Sequence, residues 1–390
     1  MTESTAASPD LSLRTASSSP PSPALAAEPT APAPAERAAL LAASELPALQ
    51  PEPLADDPLG VTIHRLSNGL TVYMSVDREQ PRVHAWIAVR AGSRHDPAHS
   101  TGLAHYLEHM MFKGTARLGT LDALAEAPHL ERTAALYDHL PAAVTADDRA
   151  HVLAQIDAAT QAAAATAIPN EIDRLYAALG ILDVNAFTTD EATVYLADLP
   201  AGRLAAWARV EAERLAHPTF RLFYPELEAV YEEKNTSLDS PEERVDEALR
   251  LALFPGHPYG TQPTLGLAEH LKNPALAEMV AYHRRWYLPN NAAIVLAGDL
   301  DPAAALATLE QSFGTWSPGQ LPVLARGAAP GPVGRVERVV EAEGEQSVTL
   351  AWRTAPAGHP DGPALAVLAD LVDNDVSGLL NVRLLLSGAL

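Results

Sequence analysis

Residues 105–109 read His-Tyr-Leu-Glu-His. On an α-helix, residues three and four apart share a face, so His105, Glu108 and His109 project together from about one turn. Two imidazoles at this spacing can grip one Zn²⁺, and a carboxylate between them can take a proton from a metal-bound water. The plain alternative is an exposed helix that carries two histidines and an acid. The flanks favour a built helix. Ser100, Thr101 and Gly102 give an N-terminal signal, Leu103, Tyr106, Leu107, Met110 and Met111 give an apolar face, and Gly114 stands where a helix would end. A helix of about three turns is expected.

Two histidines leave a catalytic zinc one protein ligand short, because such sites combine three with an open water position. The chain has no Cys, so the third ligand is His, Asp or Glu on another element. Glu191, Glu211, Glu213, Glu226, Glu228, Glu232 and Glu233 are all candidates, and spacing alone does not choose among them.

The motif needs a scaffold. Val61–Leu66 and Leu70–Val76 are β-rich runs joined by Ser67-Asn68-Gly69, a strong hairpin signal, and Arg82–Ala91 is a third run. Residues 117–180 read mainly as helix, with breaks expected at Pro128 and Pro141, a Thr145-x-x-Asp148 cap, and a last helix from Asn170 to Leu179 that stops at Gly180. Val184–Asp198 is strand-like. Helices are expected at 201–216, 225–238, 241–252 and 275–287, a turn at His257–Gly260, and a strand at Ala292–Ala297. Phe187, Tyr195, Trp207 and Trp286 read as core residues, Met110 and Met111 as packing residues, and His257 as structural.

At 390 residues the chain can hold two ordinary domains. Residues 1–50 contain 14 Ala, 8 Pro and 8 Ser and no aromatic residue, so 1–55 is expected to be disordered apart from a short helix at Ala35–Ser44. Ser317–Gly334 reads as a linker, after which Arg335–Val340 and Gln346–Arg353 resemble strands and Pro360–Asp373 a helix. That order faintly repeats residues 82–113 without the His-x-x-Glu-His. Lys and Arg total 27 against 49 Asp and Glu, a formal charge of −22, which argues against nucleic acid or an anionic membrane as partner. No run of 18 apolar residues occurs. With no basic n-region ahead of an apolar stretch, a cytoplasmic location is the default expectation, or a periplasmic or secreted one if the true start differs.

Taken together, Gly102–Thr115 (GLAHYLEHMMFKGT), NAFTT at 185–189, PELEAVYEEKN at 225–235 and HPYG at 257–260 resemble the insulinase/pitrilysin family of inverted-motif zinc peptidases, which includes the mitochondrial processing peptidases. The resemblance implies an α+β fold, a mixed and largely antiparallel sheet with helices packed on it. It implies a catalytic domain over 56–316, the linker 317–334, and the start of a second, non-catalytic homologous domain over 335–390. It assigns His105 and His109 to one zinc ion per chain and Glu108 to the general base. The family's third ligand is a glutamate seven residues after another important glutamate on the same helix, which assigns Glu233 to zinc and Glu226 behind it. Asn185 and Ala186 match its substrate-binding edge strand, where an extended peptide adds to the sheet.

The implied activity is zinc-dependent endopeptidase action on extended or unfolded peptides. The alternative is an incomplete half-enzyme or binding subunit that needs a homologous partner half or a homodimer. One departure stands out. His109 and Glu233 are 124 residues apart, longer than the family's interval by several tens, and the excess falls in 117–170. An inserted helical hairpin there leaves both ends of the metal site intact, so its expected effect is on access.

Overall fold

A computed structural model describes residues 52–53, 57–140, 145–272, 275–323, 331–332, 334–343, 346–374 and 376–388. The expected helix at Ala35–Ser44 lies outside them. So does the expected disordered stretch, apart from Glu52–Pro53, which form the short strand β1.

Among the described residues, seven strands make one sheet: β1, β2 (Thr62–Arg65), β3 (Thr71–Val76), β4 (Arg82–Val89), β5 (Leu182–Thr188), β6 (Thr193–Pro200) and β7 (Ala292–Gly298). Their order is β1-β2-β3-β7-β4-β6-β5. Only β3 and β7 run parallel; every other pairing is antiparallel. The Asn68-Gly69 hairpin forms between β2 and β3, and the Asn68 amide also donates to the carbonyls of Phe313 and Trp316 at 2.8 and 3.0 Å. A turn signal thereby doubles as a tertiary tie.

Alternation decides which face is covered. On β4, Val83, Ala85, Ile87 and Val89 are fully buried and join Val72, Met74, Ile294 and Leu296 in the main core. Trp86, Val295 and Phe187 point the other way and are exposed. Phe187 thus departs from its core reading, because it shares a face with Asn185 rather than Ala186. Tyr195, Trp207, Trp286, Met110 and Met111 are buried as expected.

The helices are α1 (Leu103–Met110), α2 (Ala123–His139), α3 (Ala146–Ala164), α4 (Glu171–Leu179), α5 (Leu204–Ala216), α6 (Phe223–Asp239), α7 (Pro241–Leu253), α8 (Leu276–Trp286), α9 (Pro302–Phe313) and α10 (Gly362–Val372), with helical turns at Pro258–Thr261 and Ala268–Leu271. Among the described residues no helix is long and apolar enough to cross a membrane. Most elements lie where the sequence puts them, and the differences have physical causes.

Helix α1 has eight residues, closer to two turns than three, and Gly114 lies in the loop beyond it. Pro128 does not break α2, which runs on from Ala123 to His139. Pro128 and Leu124 both face solvent, so water can reach the Leu124 carbonyl that the proline leaves without a donor. Val184–Asp198 is not one strand but the hairpin β5–β6, closed by Thr189 N donating to Ala192 O at 2.8 Å. Arg335–Val340 and Gln346–Arg353 have no ladder partner among the described residues, and a β-rich sequence becomes a strand only beside another edge. Helix α9 was not anticipated, although Asp301 caps it and Pro302 fills its first position.

His283 of α8 is buried and bonded through Nε2 to the Leu215 carbonyl of α5 at 2.9 Å, and burial lowers its pKa to about 4. The folded state therefore holds this ring neutral while the unfolded chain takes up a proton below about pH 6.5. Its contribution is complete above that pH and is lost as pH falls toward 4, on the order of 3 kcal/mol. Urea unfolding across this window should show His283→Gln declining less steeply with acid than the parent protein. An equal slope in both would refute the assignment.

Candidate metal centre

Helix α1 is set by its N-terminus. Gly102 turns into it at φ 86°, and a Cβ there would meet the Gly266 backbone at 2.9 Å. The cap comes from outside the helix. Buried Asp96 accepts the N–H groups of Gly102 and Ala104 at 2.8 and 2.9 Å, satisfying donors that the first turn leaves unpaired. The Tyr106 hydroxyl donates to the Phe223 carbonyl, tying α1 to the first residue of α6.

That contact brings together donors 124 residues apart. His105 Nε2 and His109 Nε2 lie 3.6 and 3.5 Å from Glu233 Oε2, and the ligand atoms of the three residues are all within 4.8 Å of one another. These separations are too long for hydrogen bonds. They match the edges of a tetrahedron whose corners lie about 2.0–2.2 Å from a zinc ion, about 3.3–3.6 Å. Two imidazole nitrogens and one carboxylate oxygen are also a donor set that zinc takes. The residues present fit the ion that the motif implies.

The surroundings tune each donor. Burial, helped by His109, lowers the His105 pKa to about 4, so the ring is neutral and its lone pair free at ordinary pH; its Nδ1 has no protein partner. His109 Nδ1 lies 3.1 Å from Glu226 Oε1, and Lys113 Nζ pairs with the other Glu226 oxygen. Burial pulls the His109 pKa down, but the Glu226 hydrogen bond and the nearby carboxylates raise it overall. Burial likewise pushes the Glu226 pKa up, and His109 with Lys113 hold it below the usual value. Glu226 therefore orients His109 from behind and leaves Nε2 facing Glu233.

Glu108 is buried beside the cluster, and its Oε2 accepts from Thr188 Oγ1 at 2.5 Å. Burial raises its pKa while the Thr188 hydroxyl holds it back. Thr188 ends β5, the edge strand of the sheet. Ala186 faces the same side as Thr188 and packs against the core. Asn185 points to the opposite, exposed face, where its Oδ1 accepts from Ala186 N at 2.9 Å.

The other glutamates are placed elsewhere. Glu211 pairs with Arg214 and Tyr176, Glu213 with Arg117, and Glu191 with Arg94, while Glu228 and Glu232 are exposed. His257 caps its own turn by accepting Tyr259 N. Sequence reasoning missed Asp96, Lys113 and Thr188. Lys113 had a signal, four residues after His109, and Thr188 shares the strand parity of Ala186. Asp96 had none.

The description "Insulinase (Peptidase family M16)" matches residues 71–131, and "Peptidase M16 inactive domain" matches residues 275–388. A protein of Mycobacterium tuberculosis named an uncharacterized zinc protease is 26% identical over 314 residues, covering 77% of this chain and 59% of the relative. The zinc protease YmxG of Bacillus subtilis is 24% identical over 320 residues, covering 80% of this chain and 64% of its own length. The chain thus spans about three fifths of these relatives. The first half of the periplasmic protease PqqL of Escherichia coli has the same fold, with a TM-score of 0.53 at 20% identity over 72% of this chain and 50% of that one.

Asp96→Ala is expected to cost about 2 kcal/mol in denaturant unfolding and to weaken metal binding as α1 frays. Asp96→Asn, which keeps one acceptor, should lose less. Equal stability of the alanine variant and the parent would remove Asp96 from this role.

Proposed function

Because the chain belongs to the insulinase (M16) family, we propose that it is a zinc-dependent endopeptidase that hydrolyses peptide bonds of extended or unfolded peptides. One observation carries the reading: the convergence of His105, His109 and Glu233 donors beside the buried Glu108 carboxylate. The names of the relatives, zinc proteases, support the same activity.

His105, His109 and Glu233 would hold one zinc ion. When bound, the ion supplies the Lewis acidity that makes water nucleophilic near neutral pH. Glu108 takes the proton from the attacking water at a carboxylate oxygen and later delivers it to the leaving amine. Its burial suits both steps, since a raised pKa lets the same carboxyl hold the proton between them. Thr188 fixes the other end of that carboxylate, so the edge strand and the base keep one register. A peptide that adds to the free edge of β5 is bound through its main chain, alongside Asn185 and Ala186, and enters extended.

We read 56–316 as the catalytic domain, 317–334 as a linker and 335–390 as the start of a second homologous domain; the inactive-domain match begins earlier, at residue 275. That one half of PqqL has the same fold supports a second reading, a half-enzyme that acts only with a homologous partner half or a second copy of itself. Incubating the chain with zinc and an unstructured peptide, with and without a full-length homologous half, separates the two.

Glu108→Gln should keep zinc bound and lower kcat by about 100-fold or more, whereas His105→Ala and Glu233→Ala should lose zinc in metal assays. Retained turnover in Glu108→Gln would refute its role as base. Thr188→Val removes a donor that stabilises the ionised Glu108, so its pKa rises further. Because the base must be ionised, the acid limb of kcat/KM should move to higher pH. An unmoved limb would exclude the coupling.

A further inference from the structure

The inserted hairpin α2–α3 leaves and rejoins the chain at one point. Thr120 and Ala167 form an antiparallel bridge, and Leu121 N donates to Thr166 O at 2.8 Å. By position it is a detachable excursion. Its interior contact says otherwise.

Glu126 of α2 is 1% exposed and pairs with Arg221, 2% exposed, through Nε–Oε1 at 2.7 Å and Nη2–Oε2 at 2.8 Å. The remaining N–H groups of Arg221 go to backbone carbonyls of the loop that leaves α1: Nη1 to Lys113 and Leu118 at 2.7 and 3.1 Å, and Nη2 to Thr115 at 2.9 Å. All five guanidinium donors are used. The loop is shaped around this group, since a Cβ on Gly114 or Gly119 would come within 2.8 or 2.9 Å of Nη1. Next in the chain is Leu222, at φ 57° in the left-handed region. A leucine there costs about 1–2 kcal/mol and persists only where its surroundings hold it. Leu222 is the residue from which α6 starts.

We propose that Arg221, neutralised by Glu126 of the insertion, is a positioning residue of the metal site: it locks the start of α6 against the exit of α1, so that Glu226 and Glu233 meet His105 and His109. The proposal rests on reading that cluster as a zinc site. The chain of contacts is continuous. Lys113 accepts from Arg221 through its carbonyl and pairs through Nζ with Glu226, which holds His109. The insertion is therefore part of the site and not only a screen in front of it. Excising it would strand a buried cation, the costly way to break such a pair.

The test uses the full chain and two probes, zinc by chelator competition and the visible spectrum of the Co²⁺-substituted protein. Glu126→Gln is expected to weaken zinc binding by about tenfold and to change the Co²⁺ spectrum, while Glu131→Gln, on the exposed side of the same helix, matches the parent in both. Arg221→Lys keeps the buried charge balanced but cannot reach three carbonyls and a carboxylate at once, and should show the same weakening in a folded protein. Normal zinc affinity and spectrum in either folded variant overturn the proposal. Loss of the fold in both also overturns it, as that is what a purely structural pair would give. A parent chain that binds no zinc sinks the zinc reading itself, a separate outcome.

Discussion

The structure turns on one convergence: Glu233 Oε2 of one helix stands 3.6 and 3.5 Å from the two imidazole nitrogens of another, a tolerance far tighter than helix packing alone provides. Helix α1 brings His105 and His109 and helix α6 brings Glu233, with β5, β6 and helices α2 to α5 between them in the chain. The contacts around this pair of helices make sense as the means of removing their freedom. Asp96 stops α1 from unwinding at its start, Tyr106 pins its middle to Phe223, and Arg221 holds its exit loop. Farther along α6, buried Lys234 pairs with Glu247 of α7. The helix is thus gripped on both sides of Glu233.

Buried charge is the instrument used for this, and it is an expensive one. An isolated guanidinium or carboxylate in the interior costs several kcal/mol, and a pair returns that only with good geometry and full hydrogen bonding. Arg221 meets the condition with all five donors engaged. An apolar pair of equal volume would hold the helices about as firmly but would let them slide. A bidentate fork fixes both distance and rotation, which is what a metal site needs from its supports.

How much of this is legible in the sequence follows the range of each signal. The His-x-x-Glu-His face, the Asn68-Gly69 hairpin, the Thr145 cap and the Gly180 stop are local and could be read directly. Glu233 was chosen over six other acids only through the family resemblance, because nothing within a window of α6 says which turn faces α1. Asp96 and Arg221 were invisible for a plainer reason. An aspartate a few residues ahead of a helix reads as a solvated surface charge unless the loop that folds it back onto the first turn is known, and an arginine in a loop does so unless its distant partner is known. The 117–170 stretch was correctly seen as helical, yet its contribution to the site through Glu126 depends on a contact across 95 residues.

The same logic bears on the far end of the described chain. Val348, Leu350 and Trp352 lie in a segment without a ladder among the described residues and are exposed, as are Val367, Leu368 and Leu371 of α10. Isolated apolar residues on a surface mean little, but here a β-rich run and a largely apolar helix both stand uncovered among the described residues. Elements of this kind are stable when a sheet receives the strand and covers the helix. The candidate metal ligands, by contrast, all lie within residues 105–233, on helices α1 and α6 that pack against each other. The contacts that clamp α1 to α6 draw on none of these exposed elements.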